Sequence, residues 1–390
     1  MSLEVLWITN DLPPRTGGIQ QFVANLVRRV HPATSVVLGP AAGPEAREAD
    51  RGEPYRTVRL RGAVVPGRRL RRAVADIAQV RPPEVVVLGA SWPLGEEAGW
   101  LRDTLGVPVV ALSHGLEAGM AGVGLSRLLT RATRDLAAVT TISRFTAARL
   151  AEAVAAERIR PLPPGVDIHR FRPDVDGARL RRELRLPPDA LVVGCISRLV
   201  PRKGQDQLLA VWPEVQRRHP AAWLLLVGEG PSEGRLRRRA EALGPGAQVR
   251  LAGAVPWARL PEAYAASDVF AMPCRTRWGG LDVEGLGIVY LEALASGRPI
   301  IAGRSGGAPE TVLDPAVGSV VDGRDRPALV AALDRWLGDA AARREAGRIG
   351  RRLAVAEAGW DAIAAEMVAL LDEVVAADGA VTGPGGAPPR

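Results

Sequence analysis

The sequence predicts an α/β protein made of two Rossmann-like domains with parallel sheets. Short, nearly continuous apolar runs alternate with stretches of helix length along the chain, as expected for strands that are buried on both faces. This alternation restarts after a proline-rich break at 161–167. The length of 390 residues also exceeds one ordinary core and suits two domains of about 100–200 residues each.

Apolar runs of strand length occur in both halves of the chain. In the first half the predicted strands are Val5 to Thr9, Ser35 to Leu38, Val85 to Leu88, Val109 to Leu112 and Val139 to Ile142. In the second half they are Leu191 to Ile196, Trp223 to Val227, Val249 to Leu251, Val269 to Met272, Pro299 to Ile301 and Gly318 to Val321. Helical stretches separate them, so consecutive strands are expected to be parallel.

The break defines the predicted domains. An N-terminal domain over 1–165 and a C-terminal domain over 166–358 are expected to face a central cleft, because ligands of open α/β sheets bind beyond the carboxyl ends of the strands. A helix over 359–376 is expected to pack back on the first domain. The glycine- and proline-rich tail, 377–390, is expected to be disordered.

Composition predicts a cytoplasmic protein. The only cysteines, Cys195 and Cys274, have neither metal-ligand nor redox spacing. The sequence shows no signal peptide and no apolar run of about 18 residues. We therefore expect no secretion and no membrane span, and a possible peripheral location on the inner face of the plasma membrane.

The net charge of +8 suggests an anionic partner. Arginines crowd the segment from Arg56 to Arg72, with apolar Leu60, Val64, Val65 and Leu70 among them. Nucleic acid is disfavoured, because no aromatic residue interrupts the arginines and no DNA-binding motif is visible. An anionic membrane surface and an ordinary solvated face remain equally open.

All but one of the 51 basic residues are arginine, and the exception is Lys203. A lysine ammonium is a compact point charge that enters crowded anionic sites where a guanidinium would clash. Arg198 and Lys203 are therefore predicted to clamp a phosphate, although a solvated lysine would leave the same pattern.

A second signal is the segment 282–293, in which Gly285 and Gly287 precede a helical run. A helix start of this kind binds phosphate through free N–H groups. Glu284 and Glu292 would lie about 12 Å apart along a helix. This exceeds the roughly 5–9.5 Å between paired glycosidase carboxylates and suits the two ends of a nucleotide sugar. The alternative is that these acids cap the helix or neutralise arginines.

These residues together resemble a known family. Glu284-x7-Glu292, Arg198-x4-Lys203, Gly17-Gly18-Ile19 and Ser113-His114-Gly115 resemble the retaining family 4 glycosyltransferases of GT-B fold, over about Trp7 to Trp360. The segments 9–20, 197–206 and 279–292 are similar to the actinobacterial GDP-mannose-dependent phosphatidylinositol mannosyltransferases of PimB type.

The resemblance implies a role for each matched residue. Arg198 and Lys203 would hold the donor diphosphate, Glu284 the hexose hydroxyls and Glu292 the ribose. His114 would meet the transferred sugar. Further donor contacts would come from Gly17 and Gly18 behind the first strand and from Asp282, Gly287, Ile288 and Val289. For the base they would come from Val255 and Met272.

The implied reaction is transfer of mannose from GDP-mannose, with retention, to a hydroxyl of a lipid-linked acceptor such as a phosphatidylinositol mannoside. Two cationic side chains, Arg198 and Lys203, already supply the charge that a divalent ion would bring, so neither a metal nor a cofactor is expected. Two alternatives are a GT-B enzyme that uses a UDP-sugar on a soluble acceptor and a non-enzymatic nucleotide-sugar sensor. Trp278 departs from the family pattern, where a small residue is expected, and could alter donor or acceptor choice.

Overall fold

The computed structural model describes residues 2–15, 17–41, 43–122 and 124–382. The chain forms two compact units. The first contains Met1–Pro164 together with Trp360–Arg390, and the second is Gly165–Gly359. Each unit is built around its own parallel sheet, as the sequence predicts.

The first unit contains a seven-stranded sheet in the order β3-β2-β1-β4-β5-β6-β7. Every neighbouring pair of strands is parallel. The strands are β1 (Val5–Ile8), β2 (Ser35–Pro40), β3 (Arg56–Leu60), β4 (Val85–Leu88), β5 (Val109–Ala111), β6 (Ala138–Thr141) and β7 (Ile159–Pro161). Apolar side chains from the central strands, such as Leu6, Leu38 and Leu88, form the core.

Helices cover this sheet. They are α1 (Gly18–Val27), α2 (Pro44–Arg51), α3 (Arg68–Val80), α4 (Ala98–Leu105), α5 (Leu116–Gly122), α6 (Ser126–Thr133) and α7 (Arg144–Leu150). In α3 the apolar Leu70, Val74 and Ile77 recur every three or four residues and are buried, while the intervening arginines face outward.

The second unit has a six-stranded parallel sheet in the order β10-β9-β8-β11-β12-β13. Its strands are β8 (Leu191–Ile196), β9 (Ala222–Val227), β10 (Val249–Gly253), β11 (Val269–Met272), β12 (Ile300–Gly303) and β13 (Gly318–Val321). The strand order reverses between β8 and β11. Ligands of doubly wound sheets bind beyond the carboxyl ends of the strands at such a point.

The helices of the second unit alternate with its strands. They are α8 (Ala178–Glu183), α9 (Gln205–Arg218), α10 (Glu233–Ala242), α11 (Leu260–Ala265), α12 (Ile288–Ala295), α13 (Arg326–Gly338) and α14 (Ala340–Glu357). Asp325 and Asp339 cap α13 and α14, because each side chain accepts a hydrogen bond from a first-turn N–H.

The last helix, α15 (Trp360–Thr382), belongs to the first unit and packs against α1. The Trp360 and Phe22 rings lie 5.9 Å apart, and Arg29 forms a 2.8 Å ion pair with Asp361. The helix continues beyond 376, so the prediction of disorder is wrong for 377–382. Ala377 and Ala380 favour helix, and the first proline after Trp360, which would end it, is at 384. The remaining tail, 383–390, lies outside the described residues.

Two strands, β3 and β7, are absent from the sequence prediction. They are the two edges of the first sheet, and both contain arginine and half-exposed positions in place of a continuous apolar run. An edge strand has fewer neighbours and needs less apolar surface. The predicted arginine-rich segment is thus β3, a loop and the start of α3.

No helix within the described part of the chain is both long and apolar enough to cross a membrane.

Candidate active site

The segment after β8 carries Arg198 and Lys203 toward the end of β11. Lys203 closes the 3-10 turn Pro201–Lys203, and Gly204 follows with φ 84°. A Cβ at Gly204 would lie 2.2 Å from the carbonyl oxygen of Pro273, so only glycine permits this approach. The Arg275 N–H donates to the Arg202 carbonyl at 2.8 Å and joins the two segments.

Lys203 and Glu284 form a buried ion pair. The Lys203 Nζ lies 2.8 Å from the Glu284 Oε2, and the two residues are 8% and 6% exposed. Burial alone would raise the pKa of Glu284. The charges of Lys203 and Arg202 outweigh burial and hold the pKa below its ordinary value. Glu284 is therefore an ionised acceptor at neutral pH.

Arg202 is a site residue that the sequence analysis missed. Its guanidinium lies 3.4 Å from the Glu284 Oε2 and 3.2 Å from the Asp282 Oδ1. Asp282 also pairs with Arg277 at 3.2 Å. Asp282, which was predicted to contact the donor, thus links two arginines. The position of Arg202 directly before Lys203 was the available signal.

Arg198 differs from these residues because its side chain is exposed. It forms no ion pair within the described ranges. Nearby Arg275 is already neutralised by Asp206, through two hydrogen bonds of 2.9 Å. Arg198 is therefore a cation available to an anionic ligand, whereas Arg275 fixes the fold of the segment.

Helix α12 begins beside the ion pair. Gly287 precedes it with φ 93°, and a Cβ there would lie 2.8 Å from the Tyr290 ring. The N–H groups of the first helical turn, including those of Ile288 and Val289, have no intrahelical acceptor. The helix start that the sequence predicts is thus present near Glu284, whose Oε1 lies 3.6 Å from the same Cβ position.

Glu292 lies toward the other end of α12 and is buried. The Tyr264 hydroxyl donates a 2.5 Å hydrogen bond to its Oε2. Burial raises the pKa of Glu292 to about 7, against the opposing effects of the Tyr264 hydrogen bond and the Arg170 charge. The pKa values of the two glutamates of the motif are therefore shifted in opposite directions. Glu284 is ionised, and Glu292 titrates near neutral pH.

The two residues nominated for the base differ in accessibility. Met272 has no exposed surface and belongs to the core, so its side chain offers no contact surface in this structure. Val255 is half-buried in the loop after β10. Trp278 is 69% exposed, has φ 49° and stacks with the Arg277 guanidinium at 4.7 Å. A left-handed tryptophan is uncommon and marks the loop before Asp282.

The first unit contains the remaining predicted residues. Gly17 and Gly18 lie at the start of α1, and His114 follows β5. The His114 Nε2 lies 2.7 Å from the Gly89 carbonyl oxygen, and its ring contacts Phe22 edge-on at 5.4 Å. These contacts fix the imidazole at the carboxyl ends of β4 and β5.

Two acids near His114, buried Glu117 and half-buried Asp11, were also missed by the sequence analysis. Glu117 accepts hydrogen bonds from the Ser91 and Ser113 hydroxyls and from the His114 N–H. Burial raises the pKa of Asp11, although the His114 charge and the Gln20 hydrogen bond oppose this. Neither acid belongs to a motif that sequence spacing alone reveals.

No group of three or more histidine, cysteine or acidic residues that could hold a metal ion occurs among the residues that the structure describes.

Comparisons with known proteins agree with this geometry. Residues 16–170 match the model of Glycosyltransferase Family 4, and residues 176–353 match that of Glycosyl transferases group 1. The structure of Anabaena HepE in complex with UDP is similar with a TM-score of 0.79, at 19% identity over 95% of this chain and 100% of that chain. The fold and these matches define a glycosyltransferase of GT-B fold.

Curated relatives match along nearly the whole chain. A GDP-mannose-dependent alpha-(1-6)-phosphatidylinositol monomannoside mannosyltransferase from Mycolicibacterium smegmatis is 42% identical over 94% of this chain and 98% of its own length. A GDP-mannose-dependent monoacylated alpha-(1-6)-phosphatidylinositol monomannoside mannosyltransferase from Corynebacterium glutamicum is 39% identical over 95% and 98%. The chain therefore belongs to the family 4 glycosyltransferases that include these enzymes.

Proposed function

We propose that this enzyme transfers mannose from GDP-mannose, with retention of anomeric configuration, to a hydroxyl of a lipid-linked acceptor, a phosphatidylinositol mannoside. The observation that carries the proposal is the buried Lys203–Glu284 pair at the start of α12, with exposed Arg198 in the same segment after β8. The names of the relatives at 39–42% identity support the donor and the acceptor.

The cationic side chains bind the donor diphosphate in this proposal. Arg198 has a free guanidinium, while Lys203 has further N–H donors beside the one that faces Glu284. Fixed charges directed at the leaving phosphate stabilise the negative charge that develops as the glycosidic bond breaks. The N–H groups at the start of α12 add to the same effect.

The two glutamates bind the ends of the donor. Ionised Glu284 accepts hydrogen bonds from hexose hydroxyls, and its two cations keep it charged. Glu292 accepts from the ribose hydroxyls. Because its pKa is about 7, the ionised form that the ribose needs increases in population as the pH rises through neutrality.

The transfer itself is a front-face displacement. The bond from the anomeric carbon to the phosphate oxygen breaks, and the bond to the acceptor oxygen forms on the same face. The leaving phosphate oxygen takes the acceptor proton, so no protein nucleophile is needed. His114, held by the Gly89 carbonyl, positions the transferred sugar.

Peripheral membrane attachment through the arginine-rich segment is part of the proposal. Arg59 and Arg71 are paired with Asp50 and Glu97, at 2.6 and 2.7 Å. The remaining exposed arginines of the segment are Arg56, Arg61, Arg68, Arg69 and Arg72, and of these Arg69 also donates to the Ala63 carbonyl oxygen. Val65 is 50% exposed, whereas Val64 and Leu70 are buried in the core and cannot contact a membrane.

The direct test is transfer from radiolabelled GDP-mannose to a membrane extract, with labelled UDP-N-acetylglucosamine as the alternative donor. We expect a lipid-soluble product from GDP-mannose only. A water-soluble product, or transfer from the UDP-sugar alone, would favour the alternative enzyme. Donor binding without nucleotide release on any acceptor would indicate a sensor.

We further propose that transfer needs no metal ion, because Arg198 and Lys203 supply the positive charge at the diphosphate. The expected result is unchanged mannosyl transfer after treatment with excess EDTA. The assignment of the phosphate site fails if EDTA abolishes transfer and manganese restores it.

A further inference from the structure

A pocket of about 640 Å³ lies in the Gly165–Gly359 unit, away from the candidate active site. Asp268 lines it just before β11, and Gly297 and Arg298 line it just before β12. The pocket is therefore at the amino ends of these strands. Arg198, Lys203 and Glu284 follow carboxyl ends, so the two sites are at opposite ends of the sheet.

One face of α14 forms the wall of this pocket. Lining residues recur at three- and four-residue spacing, which places them on one side of a helix: Ala340, Arg344, Gly347, Arg348 and Arg351. A Cβ at Gly347 would lie 2.3 Å from the Gly297 carbonyl oxygen. The glycine lets α14 approach the end of α12, which brings the arginines to the pocket.

The lining is strongly cationic. Its six arginines are Arg298, Arg343, Arg344, Arg348, Arg351 and Arg352, against a single acid. That acid, Asp268, is already engaged by Arg181 at 3.0 Å and by the Val192 N–H at 2.8 Å. Arg344 and Arg352 are exposed, and their side chains have no hydrogen-bond or ion-pair partner within the described part of the chain.

Arg348 is paired with Glu345 at 2.5 Å, and the remaining arginines of the pocket are held in place by main-chain carbonyls. Arg343 donates to the Trp336 and Leu337 carbonyls at 2.7 Å, and Arg351 donates to the Phe171 carbonyl at 2.7 Å. Arg298 donates to the Ala265 carbonyl, but its buried Nε has no partner among the described residues. Burial lowers the pKa of Arg298, and a nearby anion would offset that cost.

We propose that this pocket binds a soluble phosphorylated small molecule. Guanidinium groups bind phosphate oxygens in bidentate geometry, and several already fixed guanidinium groups lose little entropy on binding. The volume is within the range of about 300–1,000 Å³ that small-molecule sites occupy. The site is separate from the donor site and does not depend on the identity of the donor.

The test uses the full chain and inorganic pyrophosphate as the probe, with binding measured by calorimetry. The variant R344A/R352A removes two exposed arginines of the pocket, and alanine favours helix, so α14 is retained. The matched control, R235A/R238A, removes two exposed arginines of α10. We expect pyrophosphate binding in this pocket, as distinct from binding at the donor site, to weaken at least tenfold in R344A/R352A. In the control it should weaken less than twofold.

A third variant, R198A, separates this site from the donor site. We expect it to weaken GDP-mannose binding and to leave the pocket class of pyrophosphate binding intact. Equal effects of the pocket and control variants, or loss of all pyrophosphate binding in R198A, would overturn the proposal. The proposal would also be overturned if R344A/R352A no longer floated with phosphatidylglycerol vesicles but kept its pyrophosphate affinity. That result would show that the arginines bind a lipid surface. An unaffected GDP-mannose affinity in R198A counts only against the proposed donor site.

Discussion

Lys203 shows at the residue scale how composition can indicate a site. The chain has arginine at all its basic positions except one, and that one, Lys203, forms a buried pair with Glu284. A second cation, Arg202, contacts the same carboxylate. Because both cations hold the pKa of Glu284 down, changes at these positions are expected to alter stability and donor binding together.

Lys203→Met replaces the lysine with an apolar side chain of similar length. Of the two cations that contact Glu284, Arg202 then remains. The Glu284 pKa should rise, because burial is then less compensated. We expect a loss of about 2–4 kcal/mol in unfolding free energy at pH 8 and a smaller loss at pH 5, where the carboxyl can be protonated. Urea unfolding at the two pH values measures this.

Lys203→Arg is the matched control, because it retains the charge. We expect most of the stability to remain while affinity for GDP-mannose falls at least tenfold, since the broader guanidinium does not fit the ammonium position. Full activity and affinity in Lys203→Arg would refute the argument from the lone lysine.

Glu292 gives a second pH-dependent prediction. Its pKa is raised from 4.5 to about 7 in the folded protein, so the native state holds a proton that the unfolded chain releases. Stability should therefore fall as the pH rises from about 4.5 to 7. Glu292→Gln removes this loss and keeps an acceptor for Tyr264.

Between pH 5 and pH 8, the unfolding free energy of Glu292→Gln should fall by roughly 1–3 kcal/mol less than that of the wild type. Urea unfolding at each pH measures this. GDP-mannose affinity should fall in the same variant and lose its rise through pH 7. A wild-type affinity that is independent of pH between 6 and 8 would speak against an ionised Glu292 on the ribose.

At the scale of elements, buried strands were predictable, whereas two of the four edge strands, β3 and β7, were not. β1, β2, β4 and β8 are buried apolar runs, and the sequence prediction places each of them within two residues of its observed ends. The strands β3 and β7 contain arginine because an edge needs little apolar surface. Their pairing depends on long-range contacts that no local pattern encodes.

The same distinction applies to the candidate site. Glycine spacing predicted the start of α12, because Gly287 has a left-handed φ that other residues adopt at a cost. Arg202 lies directly before Lys203, but this position alone could not assign it to the site, because only the folded chain shows which guanidinium points at Glu284. The prediction that Met272 contacts the base rests on its place at a strand end, and its side chain has no exposed surface in this structure.

Gly287→Ala tests the contribution of α12 as an element. The added Cβ would meet the Tyr290 ring at 2.8 Å in a left-handed conformation. We expect a loss of about 1–3 kcal/mol in thermal or urea unfolding, and weaker GDP-mannose binding because the helix start moves.

Gly244→Ala provides the control. Gly244 has φ 83° with nothing within 4 Å of the added Cβ, so this variant should lose about 1–2 kcal/mol and keep its donor affinity. Equal donor affinity in both variants would show that the start of α12 does not bind the phosphates.

At the scale of the whole molecule, the two units repeat one design. Each is a parallel sheet whose strand order reverses once, and in each most proposed site residues lie in the segments that follow the carboxyl ends of strands. His114 and the start of α1 belong to the first unit, while Lys203, Glu284 and Glu292 belong to the second. The account requires the second set to bind a single nucleotide sugar along its length.

A crystal structure of the enzyme with GDP-mannose bound tests this claim most directly. We expect the diphosphate within hydrogen-bonding distance of Arg198 and Lys203, the mannose hydroxyls on Glu284 and the ribose hydroxyls on Glu292. Density for GDP-mannose at another place on the protein, with neither glutamate in contact with it, would contradict the account.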